Sequence, residues 1–128
     1  MRCIKYAWVV FSALCELARY DVISTLGCSA NIRRLNPQPR TPEPTNHEVV
    51  RATCSAVSLA ACLYWKPVPC LQRSVCIVRL LRKHDVVAHL VIGYRPVPFF
   101  SHAWVEVNGR IVNDSSAYGE RLQVLYKA

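Results

Sequence analysis

The chain has 128 residues, 52% of them hydrophobic, which excludes a disordered or fibrous protein and gives one domain enough apolar surface for its own core. Sixteen Lys and Arg against eight Asp and Glu leave a formal charge of +8, which suits an acidic peptide or protein partner. No RNA-binding signature, zinc-finger spacing or basic helix-turn-helix pattern accompanies that charge, so nucleic acid is not the expected partner.

Residues 1–35 read as an N-terminal helical segment. A basic start, Met1-Arg2-Cys3-Ile4-Lys5, precedes an uncharged run from Tyr6 to Cys15, which raises the question of a signal peptide. Leu14 is too large for a lipoprotein cleavage site before Cys15. Glu16 and Arg19 end the run far short of a membrane span, so no stable insertion is expected. Ile4, Trp8, Phe11, Cys15, Ala18 and Val22 share one helical face, which predicts one or two packed helices ending near Gly27; a membrane-surface helix is the alternative.

Residues 36–45 hold four prolines between Pro37 and Pro44 and read as a semi-rigid extended linker. Thr45-Asn46-His47-Glu48 then forms a capping box and opens residues 46–128, the expected catalytic core. The helix it starts is predicted to bury Val49, Ala52, Ala56, Leu59, Ala60 and Leu63, and to stop at Trp65-Lys66-Pro67. Tyr64 and Trp65 either line a substrate cleft or join the core.

Pro67 and Pro69 hold the next stretch extended, because proline is excluded from helix interiors and disfavours helix in the residue before it. From Leu71 the apolar residues recur as Leu71, Val75, Val78 and Leu81, with Arg73, Arg79 and Arg82 between them, the period of an amphipathic helix. Cys70 thus falls at its first turn, where free N–H groups and the helix dipole favour a thiolate. A buried structural cysteine is the competing reading of that position. The other cysteines show no Cys-x-x-Cys and no zinc-ligand spacing, and seven thiols fit a reducing bacterial-type cytoplasm better than a disulfide framework.

His84 falls in the last turn of that helix, where a cation is favoured, and His89 sits mid-strand; neither has an evident catalytic partner. Val86 to Tyr94 is rich in strand formers, Tyr94 to Phe100 reads as a loop, and His102 to Val107 alternates as a second strand. Asn108-Gly109 marks a hairpin. A two-residue loop would pair Val107 with Arg110 and put His102 and Asp114 on opposite faces. A three-residue loop would pair Glu106 with Arg110 and His102 with Asp114, setting opposite charges across the ladder, and is the register expected here. In it Trp104 lies beneath the site with His102, while Ala103, Val105 and Ile111 face the other layer. Ser115, Ser116 and Gly119 mark a turn, and Leu122 to Tyr126 a final short strand. The chain has no Gly-rich phosphate loop.

A cysteine opening a helix, a histidine opening a strand and a later aspartate are the order a Cys-His-Asp nucleophilic site would use. Cys70-Leu71-x-Arg73-Ser74, Leu80-Leu81-Arg82, Val91-Ile92-Gly93, His102-Ala103-Trp104-Val105-Glu106-Val107-x-Gly109-Arg110 and Asn113-Asp114 together resemble the leader peptidase of lasso-peptide biosynthesis. That family is a transglutaminase-like cysteine protease, found alone or as the C-terminal half of a microcin-type B protein. The resemblance is dense from residue 67 to 115. It implies an α+β fold with a transglutaminase-like or papain-like core, N-terminal helices preceding an antiparallel sheet. It implies Cys70 as nucleophile, His102 as base and Asp114 as orienting residue, with Trp65, Phe99, Phe100 and Trp104 as candidate substrate contacts. No cofactor is expected in this chain, and any ATP dependence would come through a partner cyclase. The partners implied are a lasso-peptide precursor, an ATP-dependent lasso cyclase and a leader-recognition protein or domain, for which the roughly 45 residues before the capping box are too few. An acyltransferase of the same fold and a non-catalytic scaffold are the alternatives.

Overall fold

In the computed structural model of the protein, the described residues are 2–27, 30–40, 47–114 and 121–128, with side chains from residue 5 onward. Helices come first: α1 (Arg2–Ser24), α2 (Ala30–Arg33), α3 (His47–Leu63) and α4 (Cys70–Lys83). Strands β1 (Ala88–Pro96), β2 (Phe99–Val107), β3 (Arg110–Ile111) and β4 (Gln123–Lys127) come after them, in the sheet order β3-β2-β1-β4 with every neighbour antiparallel. This is the α+β order expected.

The prolines set the start of α4. Pro69 occupies its N-cap in an extended conformation (φ −68°, ψ 163°), and the first backbone bond of the helix runs from the Arg73 N–H to the Pro69 carbonyl. The helix is buried nearly all round, with Val75, Cys76, Ile77, Val78 and Leu81 in the main core, as befits an element enclosed between layers. Arg79 and Arg82, predicted on a polar face, are buried as well. Arg79 Nε donates to Glu16 Oε2 at 2.8 Å, and Arg82 donates to the carbonyls of Ala88 and Asn36. A guanidinium carries five donors in a fixed fork, so one arginine can join several elements at once. The start of the Pro-rich stretch is fastened in the same way, Asn36 donating to the Arg79 carbonyl and Gln38 to that of Ala88. Thr45 of the expected capping box, Ser115, Ser116 and Gly119 lie outside the described residues.

The buried face of α1 is not the one its pattern suggested. Val10, Ala13 and Leu17 enter the core, whereas Trp8 is 68% exposed, Phe11 56% exposed, and Cys15, Ala18 and Val22 face outward with them. Glu16 explains the rotation. It is buried against Arg79 and Lys83 (Nζ at 2.7 Å), and a buried carboxylate requires such partners, so the helix turns Glu16 inward with Ala13 and Leu17, three residues before it and one after. Helix α3 is also turned: Ala56 and Ala60 are buried as expected, but Val50, Thr53 and Val57 join them, while Leu59 and Leu63 are exposed.

Strands β1 and β2 form one hairpin paired from Ala88↔Val107 to Pro96↔Phe99, so Tyr94 to Phe100 is strand and tight turn rather than loop. One sheet face carries Ala88, Leu90, Val105 and Val107 into the core beneath α4; the other carries Val91, Trp104 and Ile111 against Leu122. The β2–β3 turn takes the two-residue form, not the three-residue form expected. Asn108 (φ 53°) and Gly109 (φ 75°) are both left-handed, and Val107 pairs with Arg110 and Glu106 with Ile111. Asn-Gly favours this turn because its twist matches that of the flanking strands, and here that outweighs cross-strand charge pairing. Ile111 consequently joins the Trp104 face, not the Val105 face.

Candidate active site

Cys70 is the first residue of α4, so its N–H and those of Leu71 and Gln72 precede the first intrahelical bond. His102 lies on β2, and its Nε2 is 2.6 Å from Asp114 Oδ2. Cys70, His102 and Asp114 line one cavity of about 110 Å³ with Val68, Arg73, Ala103 and Asn113. The three residues picked from sequence are therefore brought together.

They meet by a different route from the one expected. In the two-residue register an uninterrupted ladder would turn Asp114 away from His102. The ladder stops instead. Val112 N–H still donates to the Val105 carbonyl at 3.0 Å, but the Val105 N–H donates at 2.9 Å to the side-chain Oδ1 of Asn113, not to a main-chain carbonyl. Asn113 Nδ2 contacts Ser74 Oγ on α4 at 3.4 Å. The amide thus ends the strand, ties it to α4 and releases Asp114 from alternation. The body of α4 packs on the Val105 face, opposite that of His102 and Trp104, and only its first turn reaches His102. It does so beside the outer edge of β2, where β3 has already ended.

The imidazole is held between aromatic rings at i−2 and i+2 of the same strand: Phe100 at 6.2 Å between centroids and Trp104 at 6.4 Å, both stacked. Trp104 is 0% exposed and donates through Nε1 to Glu106 Oε1. It supports His102 from below and presents no surface to a substrate, which corrects its place among the candidate contacts. Gly93, paired with His102 on β1, makes room for that ring: a Cβ there would lie 2.5 Å from Trp104 Cη2 and 2.9 Å from Leu122 Cβ. Phe100 stacks on His102 but does not itself line the cavity. Phe99 (75% exposed) and Trp65 (80% exposed) do not line the cavity; Trp65 packs on Tyr64 and under Lys66.

Asp21 is the contributor that sequence patterns did not reveal. Lys66 Nζ lies 2.7 Å from its Oδ1 and the Tyr64 hydroxyl donates to its Oδ2, so α1 anchors the segment leading to Cys70. Burial alone would raise this carboxyl's pKa, but the Lys66 and Tyr64 hydrogen bonds and the Lys66 charge outweigh it and hold the value below the ordinary range. Gln72 Nε2, donating to the Leu17 carbonyl at 3.1 Å, fastens the first turn of α4 to the same helix. Among the other described cysteines, burial pushes the Cys54 thiol up to about 11 and Cys76 higher still, so both resist ionisation. Among the described residues no three His, Cys, Asp or Glu side chains are grouped to hold a metal ion.

Helices preceding an antiparallel sheet, with a cysteine at a helix start beside a histidine paired to an aspartate, define a transglutaminase-like architecture. The family model described as Transglutaminase-like superfamily matches residues 13–127, and the chain belongs to that superfamily. Over 56 residues it is 45% identical to the microcin J25-processing protein McjB of Escherichia coli, a match spanning 44% of this chain and 27% of that protein. No solved structure matches.

Proposed function

We propose that this chain is a cysteine endopeptidase that removes the leader from a lasso-peptide precursor before macrolactam closure. The observation that carries this reading is the cavity shared by Cys70, His102 and Asp114, in a chain similar to a microcin-processing protein. Asp114 engages Nε2 of the imidazole, so proton exchange with the thiol runs through Nδ1. The Cys70 thiolate attacks the carbonyl at the leader–core junction, and His102 protonates the departing core amine. Water, activated by His102, then cleaves the thioester and frees the leader as a carboxylic acid. The released amine is what a separate ATP-using cyclase consumes in forming the macrolactam. The chain's own chemistry needs neither ATP nor a metal. A leader-recognition protein or domain delivers the precursor, and the formal charge of +8 favours approach of an acidic leader or partner.

The test is reconstitution with precursor, recognition protein and cyclase, the leader fragment being read by mass. A free leader carboxylic acid supports the peptidase. A leader joined to an added amine instead identifies acyl transfer, the reaction for which the superfamily is named, and replaces this reading. Leader release that persists in Cys70→Ala reduces the chain to a scaffold.

A further inference from the structure

We infer that Arg73 is a catalytic residue that donates a hydrogen bond to the oxyanion formed when Cys70 attacks a carbonyl. The inference rests on Cys70 being the nucleophile. It starts from the donors around the cavity. Three polar side chains with N–H groups line it: Arg73, His102 and Asn113. Asn113 is committed, its Oδ1 to the Val105 N–H and its Nδ2 to Ser74 Oγ. His102 is held by Asp114 and serves as the base. Gln72, the other amide in this turn, points away and donates to the Leu17 carbonyl. Arg73 remains, and its Nε is buried with no acceptor. A buried N–H without a partner is costly, and native structures keep such groups rarely. Arg73 also lines the cavity, so its guanidinium is the side-chain donor there that a substrate oxygen can use.

Position agrees with the role. Arg73 lies three residues beyond Cys70 in α4, a spacing that places two side chains on one helix face, and both line the cavity. In the reaction, sulfur bonds to the carbonyl carbon and the C=O π pair moves onto oxygen. That oxygen then accepts from the Cys70 N–H at the helix start and from the Arg73 guanidinium. Collapse restores the C=O, breaks the C–N bond and sends the pair to nitrogen, which takes a proton from His102. Donors fixed before the charge develops stabilise the transition state without reorganising.

The test uses the whole chain and two small probes. p-Nitrophenyl acetate acylates Cys70 through an oxyanion, whereas iodoacetamide alkylates it at a saturated carbon without one. Both rates are taken on the high-pH plateau, as the difference from Cys70→Ala, since Cys15 and Cys62 are exposed. Arg73→Met is expected to slow acylation by about 100-fold, within the usual range for loss of one such donor, and to leave alkylation within about twofold. Arg73→Lys, which keeps the charge and folds if the methionine variant does not, is expected to recover part of the acylation rate. Unchanged acylation in Arg73→Met overturns the inference, as does an equal fall in both rates, which would place the arginine's effect on the thiolate. A p-nitrophenol burst that survives Cys70→Ala overturns it together with the nucleophile assignment. Because neither probe is a lasso precursor, a chain that acylates normally but releases no leader contradicts the proposed function alone.

Discussion

His102 gathers the site's support: Asp114 binds its Nε2, Phe100 and Trp104 flank its ring, and Gly93 leaves the space that Trp104 fills. His102→Ala is expected to abolish leader release. Asp114→Ala should retain one to two orders of magnitude more kcat, since an orienting carboxylate is less costly to lose than a base. Gly93→Ala should displace Trp104 and cost about 1–3 kcal/mol of stability, read by urea denaturation, because a new methyl in a filled space forces its neighbours to move. Cys70 was legible from Pro67 and Pro69, which fix where the helix begins, and His102 from the alternating strand. Asp114 was legible only as a residue type at the right place in the order. Its contact with His102 depends on Asn113 replacing a main-chain acceptor, and no periodicity reports that exchange.

Strand β3 pairs through only two residues, and the site hinges on Asn113 and Asp114 just beyond its end. Asn113→Ala would leave the Val105 N–H without its acceptor and loosen Asp114 as well. It should cost about 1–3 kcal/mol by denaturation, and its kcat should fall towards that of Asp114→Ala although the carboxylate is still present. Asp114→Ala added to Asn113→Ala should then lower kcat by much less than it does alone, the test of a shared role. The same elements show the limits of pattern reading. Asn-Gly announced the turn, but cross-strand charges suggested the wrong register, since turn twist governs a short hairpin more strongly than one exposed ion pair. In α1, apolar residues occur on every side, so the stripe through Trp8 and Phe11 looked as good as the one through Ala13 and Leu17. The choice lay with Glu16 and its partners on α4, a contact across more than sixty residues of sequence.

Across the whole molecule that buried carboxylate joins α1 to α4, and both helices share the main core with the sheet. Burial alone would raise the pKa of Glu16, but hydrogen bonds and charge from Lys83 and Arg79 outweigh it and hold the value below its ordinary 4.5. Its contribution is therefore complete above about pH 4.5 and is lost as pH falls through the lower folded value. Glu16→Gln should cost about 3 kcal/mol at pH 7, because Arg79 is left buried without its counter-charge. The difference from wild type should shrink in urea melts near pH 3. Among the described residues no helix is long and apolar enough to cross a membrane. The charge and core were readable from composition, whereas the outward face of Trp8 and Phe11 was not. What joins fold to function is the claim that Cys70 is the nucleophile, and the most direct measurement is leader release in the reconstituted system by seven single Cys→Ala variants. The expected result is loss of the leader fragment in Cys70→Ala alone, with the other six retaining comparable rates while folded; release by Cys70→Ala at the wild-type rate, or equal loss from folded Cys76→Ala, would contradict the account.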